Sequence, residues 1–171
     1  MTGSRGDGDV VVTTAEQVRE VLASVHDPEI PVLTIEDLGV LRDVSVVGEH
    51  VVVTVTPTYS GCPAMDEIRA DIAVALSARG WDDVEVRTVL APAWTTDWMS
   101  DDGRRKLREH GIAPPGERLL QIRPFGAGAG VTCPQCSSPD TEELTRFGST
   151  SCKALWRCRT CREPFDHFKA H

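Results

Sequence analysis

The residues best suited to chemistry are cysteines. Cys133-Pro-Gln-Cys136 and Cys158-Arg-Thr-Cys161 form two Cys-x-x-Cys turns with 21 residues between them. Each turn supplies two thiolates, and a hairpin between the turns brings all four together as a tetrahedron. Zn2+ favours such an all-thiolate set, and a closed four-ligand site is structural rather than catalytic. The same donors suit iron or an iron–sulfur cluster, so zinc is the expected metal and iron the alternative. A segment of about forty residues has too little core to fold unaided, and metal binding would supply much of its folding free energy.

Two further cysteines stand apart from these turns. Cys62 lies directly before Pro63, where a helix begins. Free amides and the positive end of the helix dipole stabilise a thiolate there and would lower the thiol pKa. The other reading of Cys62 is a small apolar residue facing a core. Cys152, in Phe147-Gly-Ser-Thr-Ser-Cys152, is either a small buried cysteine, or a reactive thiol or a ligand that exchanges during metal transfer. Asp27 and Glu29 form an acidic pair in a kinked loop, and helix termination alone would account for them. His26 adjoins Asp27, and His167 and His171 read as packing or surface residues. No His, Ser and Asp set has the spacing of a nucleophile with its base, so no catalytic residue is assigned.

The elements that must position these groups follow from periodicity. Thr13–Val25 reads as an amphipathic helix, with a capping box at Thr13 and Glu16 and an apolar face of Val18, Val21, Leu22 and Val25. Asp27-Pro28 must end it. Leu41–Val47 and Val51–Thr56 are β-rich runs joined by Gly48-Glu49-His50. Cys62-Pro63 opens a second helix reaching Arg79, with proline suited to its first turn. Val84–Leu90 is a third strand, Ser100–His110 a charged helix, and Leu119–Ile122 a candidate fourth strand. Trp81 reads as core. Trp94 and Trp98 sit in a loop, where they either anchor a partner or cover the sheet. The order α-β-β-α-β-α implies an α+β fold, a small two-layer domain with helices on one sheet face, followed by the four-cysteine zinc-ribbon-like knuckle.

Gly126-Ala-Gly-Ala-Gly130 is the clearest boundary, because alternating glycines are costly to order and pack no core. The expected organisation is a disordered lead-in over 1–12, an α+β domain over 13–125, a linker over 126–130 and a metal-binding domain over 131–171. The chain has 171 residues and a formal charge of −8. From Val131 onward six Lys/Arg meet five Asp/Glu, so the acid excess lies on the larger domain and repels a phosphate backbone. Arg157, Arg159 and Arg162 keep a nucleic-acid-binding ribbon as a weaker alternative. No apolar run approaches the roughly 18–20 residues of a membrane span, and the polar first residues carry no secretory h-region. A cytoplasmic location is expected, where cysteines serve as ligands or thiols rather than disulfides.

Several motifs carry a family resemblance. His26-Asp-Pro-Glu-Ile-Pro31, Asp37-Leu-Gly39, Thr54-Val-Thr56 and Gly61-Cys-Pro63 resemble the SufT-type domain of iron–sulfur protein assembly. These are small α+β accessory modules with a reactive cysteine at a helix start. The resemblance implies that Asp27, Glu29, Thr56 and Cys62 are the functional positions, although Pro57–Gly61 separate Thr56 from Cys62. Pro57–Met65, Ala93-Trp-Thr95, Gly111–Pro115, Phe147–Thr150 and Glu163–Lys169, together with both Cys-x-x-Cys pairs, are similar to the PaaD (or PaaJ) family of phenylacetyl-CoA epoxidase systems. That resemblance implies an accessory subunit in aerobic phenylacetate degradation whose partners are the oxygenase and reductase subunits, with iron–sulfur assembly proteins as further candidates. The chain has neither the Glu-x-x-His pairs of a di-iron oxygenase nor a dinucleotide fingerprint between strand and helix. The expectation is a maturation factor with Cys62 as transfer thiol. The alternative is a non-catalytic scaffold.

Overall fold

The computed structural model describes residues 14–116 and 131–170. The lead-in over 1–12, the strand expected at 119–122, the glycine linker at 126–130 and His171 lie outside the described residues.

The first helix, α1 (Ala15–Leu22), is shorter than its periodicity predicts. Its capping box is shifted by one residue from the expected Thr13 and Glu16. Thr14 is the N-cap, its side chain accepts from the Gln17 amide, and the Gln17 side chain reaches back to the Thr14 amide. The helix stops early because its end tightens: the Val25 amide donates to Leu22 O and the Ser24 hydroxyl to Val21 O. Val18 and Leu22 are its buried face.

The chain then folds back on itself. The Asp27 amide donates to Leu33 O, and Asp27 Oδ1 accepts from the Glu29 and Ile30 amides, both at 2.8 Å. Asp27 therefore pins the Pro28–Pro31 kink from inside. The hairpin follows as β1 (Leu41–Val47) and β2 (His50–Val55), antiparallel as their alternation requires. Val51, Val53 and Val55 are all fully buried. The second helix, α2 (Ala64–Ser77), begins two residues later than expected, with Pro63 as a cap lacking any side-chain hydrogen bond. It crosses over to β3 (Val84–Thr88), which pairs with β2 in parallel, as a helical crossover permits and a tight turn would not. Helix α1 packs on α2 and β1, and α2 on β3, giving the helix layer over the sheet order β1-β2-β3.

The third helix, α3 (Asp101–Glu109), is locked to the loop that precedes β1. Asp37 is buried, and its carboxylate takes Lys106 Nζ at 2.7 Å, the Ser100 hydroxyl at 3.1 Å and the Thr34 amide at 3.1 Å. Its backbone carbonyl also accepts from the Ser100 amide. Gly39 completes this loop with φ +69°, and a Cβ there would lie 2.5 Å from Trp98 O. No side chain fits that approach. The Trp98 ring is covered by Arg42, 3.5 Å away. Trp94 is buried, and its indole N–H donates to Leu38 O. Both tryptophans thus pack within the molecule, and Trp81 packs partly buried at the core edge.

Four strands build the second sheet, in the order β4-β7-β6-β5. β5 (Thr141–Thr145), β6 (Lys153–Cys158) and β7 (Pro164–Phe168) form an antiparallel ribbon. β4 (Ile112–Ala113) precedes the glycine segment yet joins the ribbon, in parallel with β7. The ribbon also enters the larger core: Phe168 is 1% exposed there and meets Trp94 edge-on at 6.1 Å.

Asp37 gives the first test. Burial works against its charge, but Lys106 and the Thr34 and Ser100 donors outweigh it and hold the carboxyl below its usual range. Its stabilisation is present above the unfolded-state value and is lost as pH falls through the folded one. Asp37→Ala should lower the unfolding free energy by about 2–3 kcal/mol at neutral pH. Lys106→Ala should cost only about 1 kcal/mol, since Lys106 is partly exposed. Denaturant melts at pH 7 and pH 3 check both, with the gap between wild type and Asp37→Ala narrowing in acid.

Candidate functional site

Two groups of side chains can do chemistry. In the first, one ligand atom from each of Cys133, Cys136, Cys158 and Cys161 lies within 4.8 Å of all the others. Cys133 Sγ is 3.8 Å from Cys161 Sγ, and Cys136 Sγ is 3.6 Å from Cys158 Sγ. A tetrahedron with metal–sulfur bonds of about 2.3 Å has edges of about 3.8 Å, so these two pairs stand at the spacing of a four-thiolate zinc site and the whole set lies within about 1 Å of it. Both turns have the same backbone form. A residue with positive φ follows the second cysteine of each, Ser137 at +60° and Arg162 at +67°. Neither is glycine, and such strain persists only where the surroundings over-determine it. The same backbone bond closes each turn: the Cys133 amide donates to Ser138 O and the Cys158 amide to Glu163 O, both at 3.0 Å.

The thiols of Cys136, Cys158 and Cys161 shift one another's protonation. The Cys161 amide 3.5 Å from Cys158 Sγ is the main reason that Cys158 falls to about 6. At Cys161 the Glu163 amide pulls the other way, but burial and the neighbouring thiols push it up to about 12. Four like groups at this spacing cannot all ionise without a cation between them. His167 is not part of the site. Burial lowers it to about 4, and its ring stands edge-on to Trp156 at 5.7 Å.

The second group surrounds Cys62. The thiol is half-buried just before α2, where the Thr58 hydroxyl and the Ala64 amide favour its ionised form. Its pKa is raised, against the expectation from a helix start. Burial is the main cause, and the Glu29 and Asp27 charges add to it. Pro63 offers no amide in the first turn, and the donors that remain do not outweigh burial. Burial likewise raises Asp27, and it raises Glu29 with help from Asp27. Thr56 is buried and its amide donates to Val40 O. The threonine that meets the thiol is Thr58. Tyr59 joins the group, its hydroxyl interacting with Ser151 and Cys62.

Sequence reasoning left Cys152 without a place, and the fold gives it one. Cys152 is 4% exposed and packs in the core of the larger unit rather than of the ribbon. Its Sγ lies 3.8 Å from Glu29 Oε2 and 3.0 Å from Thr150 Oγ1. The Cys62 group therefore contains a residue of the ribbon. No local signal relates positions 29 and 152. The arginines that left nucleic-acid binding open are partly engaged: Arg157 and Arg159 both pair with Glu142.

The fold and the two thiol groups define a class: an iron–sulfur-assembly type of α+β unit carrying a four-cysteine ribbon. Residues 15–88 match the family model described as iron-sulfur cluster assembly protein, and residues 121–169 that of the PaaD zinc beta ribbon domain. The chain belongs to the PaaD family of phenylacetyl-CoA epoxidase subunits. It is 49% identical over 156 residues to a putative 1,2-phenylacetyl-CoA epoxidase subunit of Escherichia coli (strain K12), across 90% of this chain and 93% of that protein. A shorter match, 36% identical over 96 residues, is to the "Fe-S protein maturation auxiliary factor" of Porphyromonas gingivalis (strain ATCC BAA-308 / W83), covering 55% of this chain and 90% of that one. The crystal structure of a DUF59 domain of unknown function from Bacillus anthracis superimposes with a TM-score of 0.51 at 30% identity, covering 54% of this chain and 90% of that one. Among the described residues, no helix is long and apolar enough to cross a membrane.

Asp27 supplies a test of whether the site carries a cost in stability. Its folded pKa is raised, so ionised Asp27 opposes folding, and stability is gained as pH falls from the folded towards the unfolded value. Asp27→Asn keeps an oxygen for the Glu29 and Ile30 amides and removes the buried charge. Its thermal midpoint at pH 7 should equal or exceed that of wild type, and the gain on mild acidification should shrink. A clear fall in the midpoint at pH 7 would show that the charge itself stabilises the loop.

Proposed function

We propose that this chain is an accessory factor of the phenylacetyl-CoA epoxidase system that helps mature or insert the iron or iron–sulfur centres of its oxygenase and reductase partners. Cys62 is the transfer thiol, and Asp27 and Glu29 supply the charge around it. The observation that carries this reading is the company Cys62 keeps: two carboxylates and two hydroxyl groups, with no base aimed at the sulfur. A catalytic nucleophile needs a neighbour that takes its proton. No hydrogen bond joins the Cys62 sulfur to the Asp27 or Glu29 carboxylate, and thiol and carboxylate together are a ligand set for a cation. The relationship to the Escherichia coli epoxidase subunit and to an iron–sulfur maturation factor supports the same reading. In this reading the chain is non-catalytic and works in the cytoplasm.

The four-cysteine group has the donor chemistry and spacing for one structural Zn2+, held by Cys133, Cys136, Cys158 and Cys161. The ion would supply the ribbon's missing folding free energy and leave no open position for substrate. Elemental analysis of the purified chain should give one zinc and no labile sulfide. Cys133→Ser should abolish metal retention and make the ribbon sensitive to protease. Stoichiometric iron and sulfide, lost in Cys133→Ser, would reassign the metal.

Function is tested by co-expressing the oxygenase and reductase subunits with wild type or Cys62→Ser. With the variant, the partners should still co-purify with this chain, while their iron and sulfide content falls several-fold. Full metal content with the variant would make the chain a scaffold in which Cys62 is structural.

A further inference from the structure

The ribbon's closed four-cysteine group does not use Cys152, and the ribbon's own core does not contain it. The chain instead turns back at Ser149–Ser151 and drives this side chain into the larger unit, beside Glu29. The placement is held from several sides. The Lys169 amide donates to Cys152 O at 3.0 Å, the Gly148 amide to Lys153 O at 2.8 Å, and Phe168 anchors β7 against Trp94. Lys153, next in sequence, is also buried and pairs with Asp166 at 3.3 Å. Its charge reaches both Asp27 and Glu29. Tyr59, its pKa raised chiefly by burial, also feels Ser151 of this turn on one side and the Cys62 and Glu29 charges on the other.

We propose that Cys152 is the second thiol ligand of the Cys62 site, so that Cys62, Cys152 and Glu29 together take one thiophilic divalent metal ion as cargo, with the ribbon completing the site. The inference rests on the reading of Cys62 as a transfer thiol and deepens it. Two thiolates and one carboxylate select a transition-metal ion such as iron(II) over magnesium or calcium. Three protein ligands leave a coordination position open, which a site that passes its ion to a partner needs and the closed four-cysteine group lacks. Among the described residues only the four ribbon cysteines already stand within 4.8 Å. The composite site therefore closes by rotation of Cys62 and Glu29, both half-buried, around the fixed and buried Cys152. An ion enters from the Cys62 side. Binding releases the two thiol protons to solvent and changes no oxidation state.

Cobalt(II) chloride, added anaerobically to the full chain with zinc already in the four-cysteine group, is the probe. Its thiolate-to-cobalt charge-transfer absorption reports how many sulfurs bind each ion. Wild type should take up one cobalt with two-thiolate intensity. Cys152→Ser, Cys152→Ala and Cys62→Ser should each bind at least about tenfold more weakly, with roughly half the intensity per bound ion. Glu29→Gln should weaken binding while leaving the intensity per ion unchanged. If Cys62→Ser abolishes the band while both Cys152 variants match wild type, or if wild type shows one-thiolate intensity, the inference falls and the transfer role of Cys62 stands. If wild type takes up no cobalt beyond the zinc, the composite site is refuted, and iron loading of the partners with Cys62→Ser still decides the transfer role. Loss of zinc from a variant would mark a folding defect, and the wild-type intensity then decides alone.

Discussion

A ribbon whose interior consists of seven buried residues, two of them cysteines, does not bury enough apolar surface to fix four strands against their conformational entropy. Something must substitute for a core, and two things do. Four sulfurs converge to within 4.8 Å of one another, close enough to share one metal ion, and Phe168 and Cys152 leave the ribbon to be buried in the larger unit. The first constraint holds the two turns together. The second holds the ribbon's far end against the sheet and helices. Remove either and the Cys62 group loses definition, because Glu29 takes a contact from a residue whose position the ribbon sets.

The electrostatics around Cys62 run against its place at a helix start. A thiol there is ordinarily a better acid than a free cysteine. Here partial burial, with the Glu29 and Asp27 charges behind it, reverses that, and burial raises Asp27 and Glu29 too. Mutual repulsion of this kind opposes stability and persists where a cation relieves it. Backbone hydrogen bonds and one buried ion pair keep it in place: Asp27 is fixed by two amides, and the loop beyond it is fixed by Asp37 to α3.

The sequence alone revealed what is periodic or closely spaced. Val18 and Leu22 marked α1, the valines of β2 marked a buried strand, and two Cys-x-x-Cys turns marked a tetrahedral site. It failed where the deciding contact is long-range. Nothing near Asp37 announces Lys106, 69 residues away, and nothing near Cys152 announces Glu29, 123 residues away. Ile112-Ala113 is too short for any alternation to identify it as a strand, and its partner lies beyond the glycine segment. The acidity of Cys62 fails to follow from its neighbours for the same reason. The helix start is local and visible in sequence, whereas the burial that overrules it, and the carboxylates that add to it, arrive through the fold.

A structural metal site and a transfer site make opposite demands on the same ligands. The first is best served by four sulfurs at full closure, which exclude water and any incoming ligand, and residues 133–161 meet that demand. The second must hold an ion firmly enough to carry it and loosely enough to release it. An incomplete ligand set, some of whose members can swing, serves that purpose. Cys62 and Glu29 are half-exposed and attached to a helix start and a loop, while Cys152 is fixed in the core. In the proposed reading, one of these groups is built on the element that the other stabilises, which couples the transfer site to the loading of the ribbon. Loss of the structural ion would then loosen Cys152 from the ribbon side, leaving its burial in the larger core as the remaining restraint.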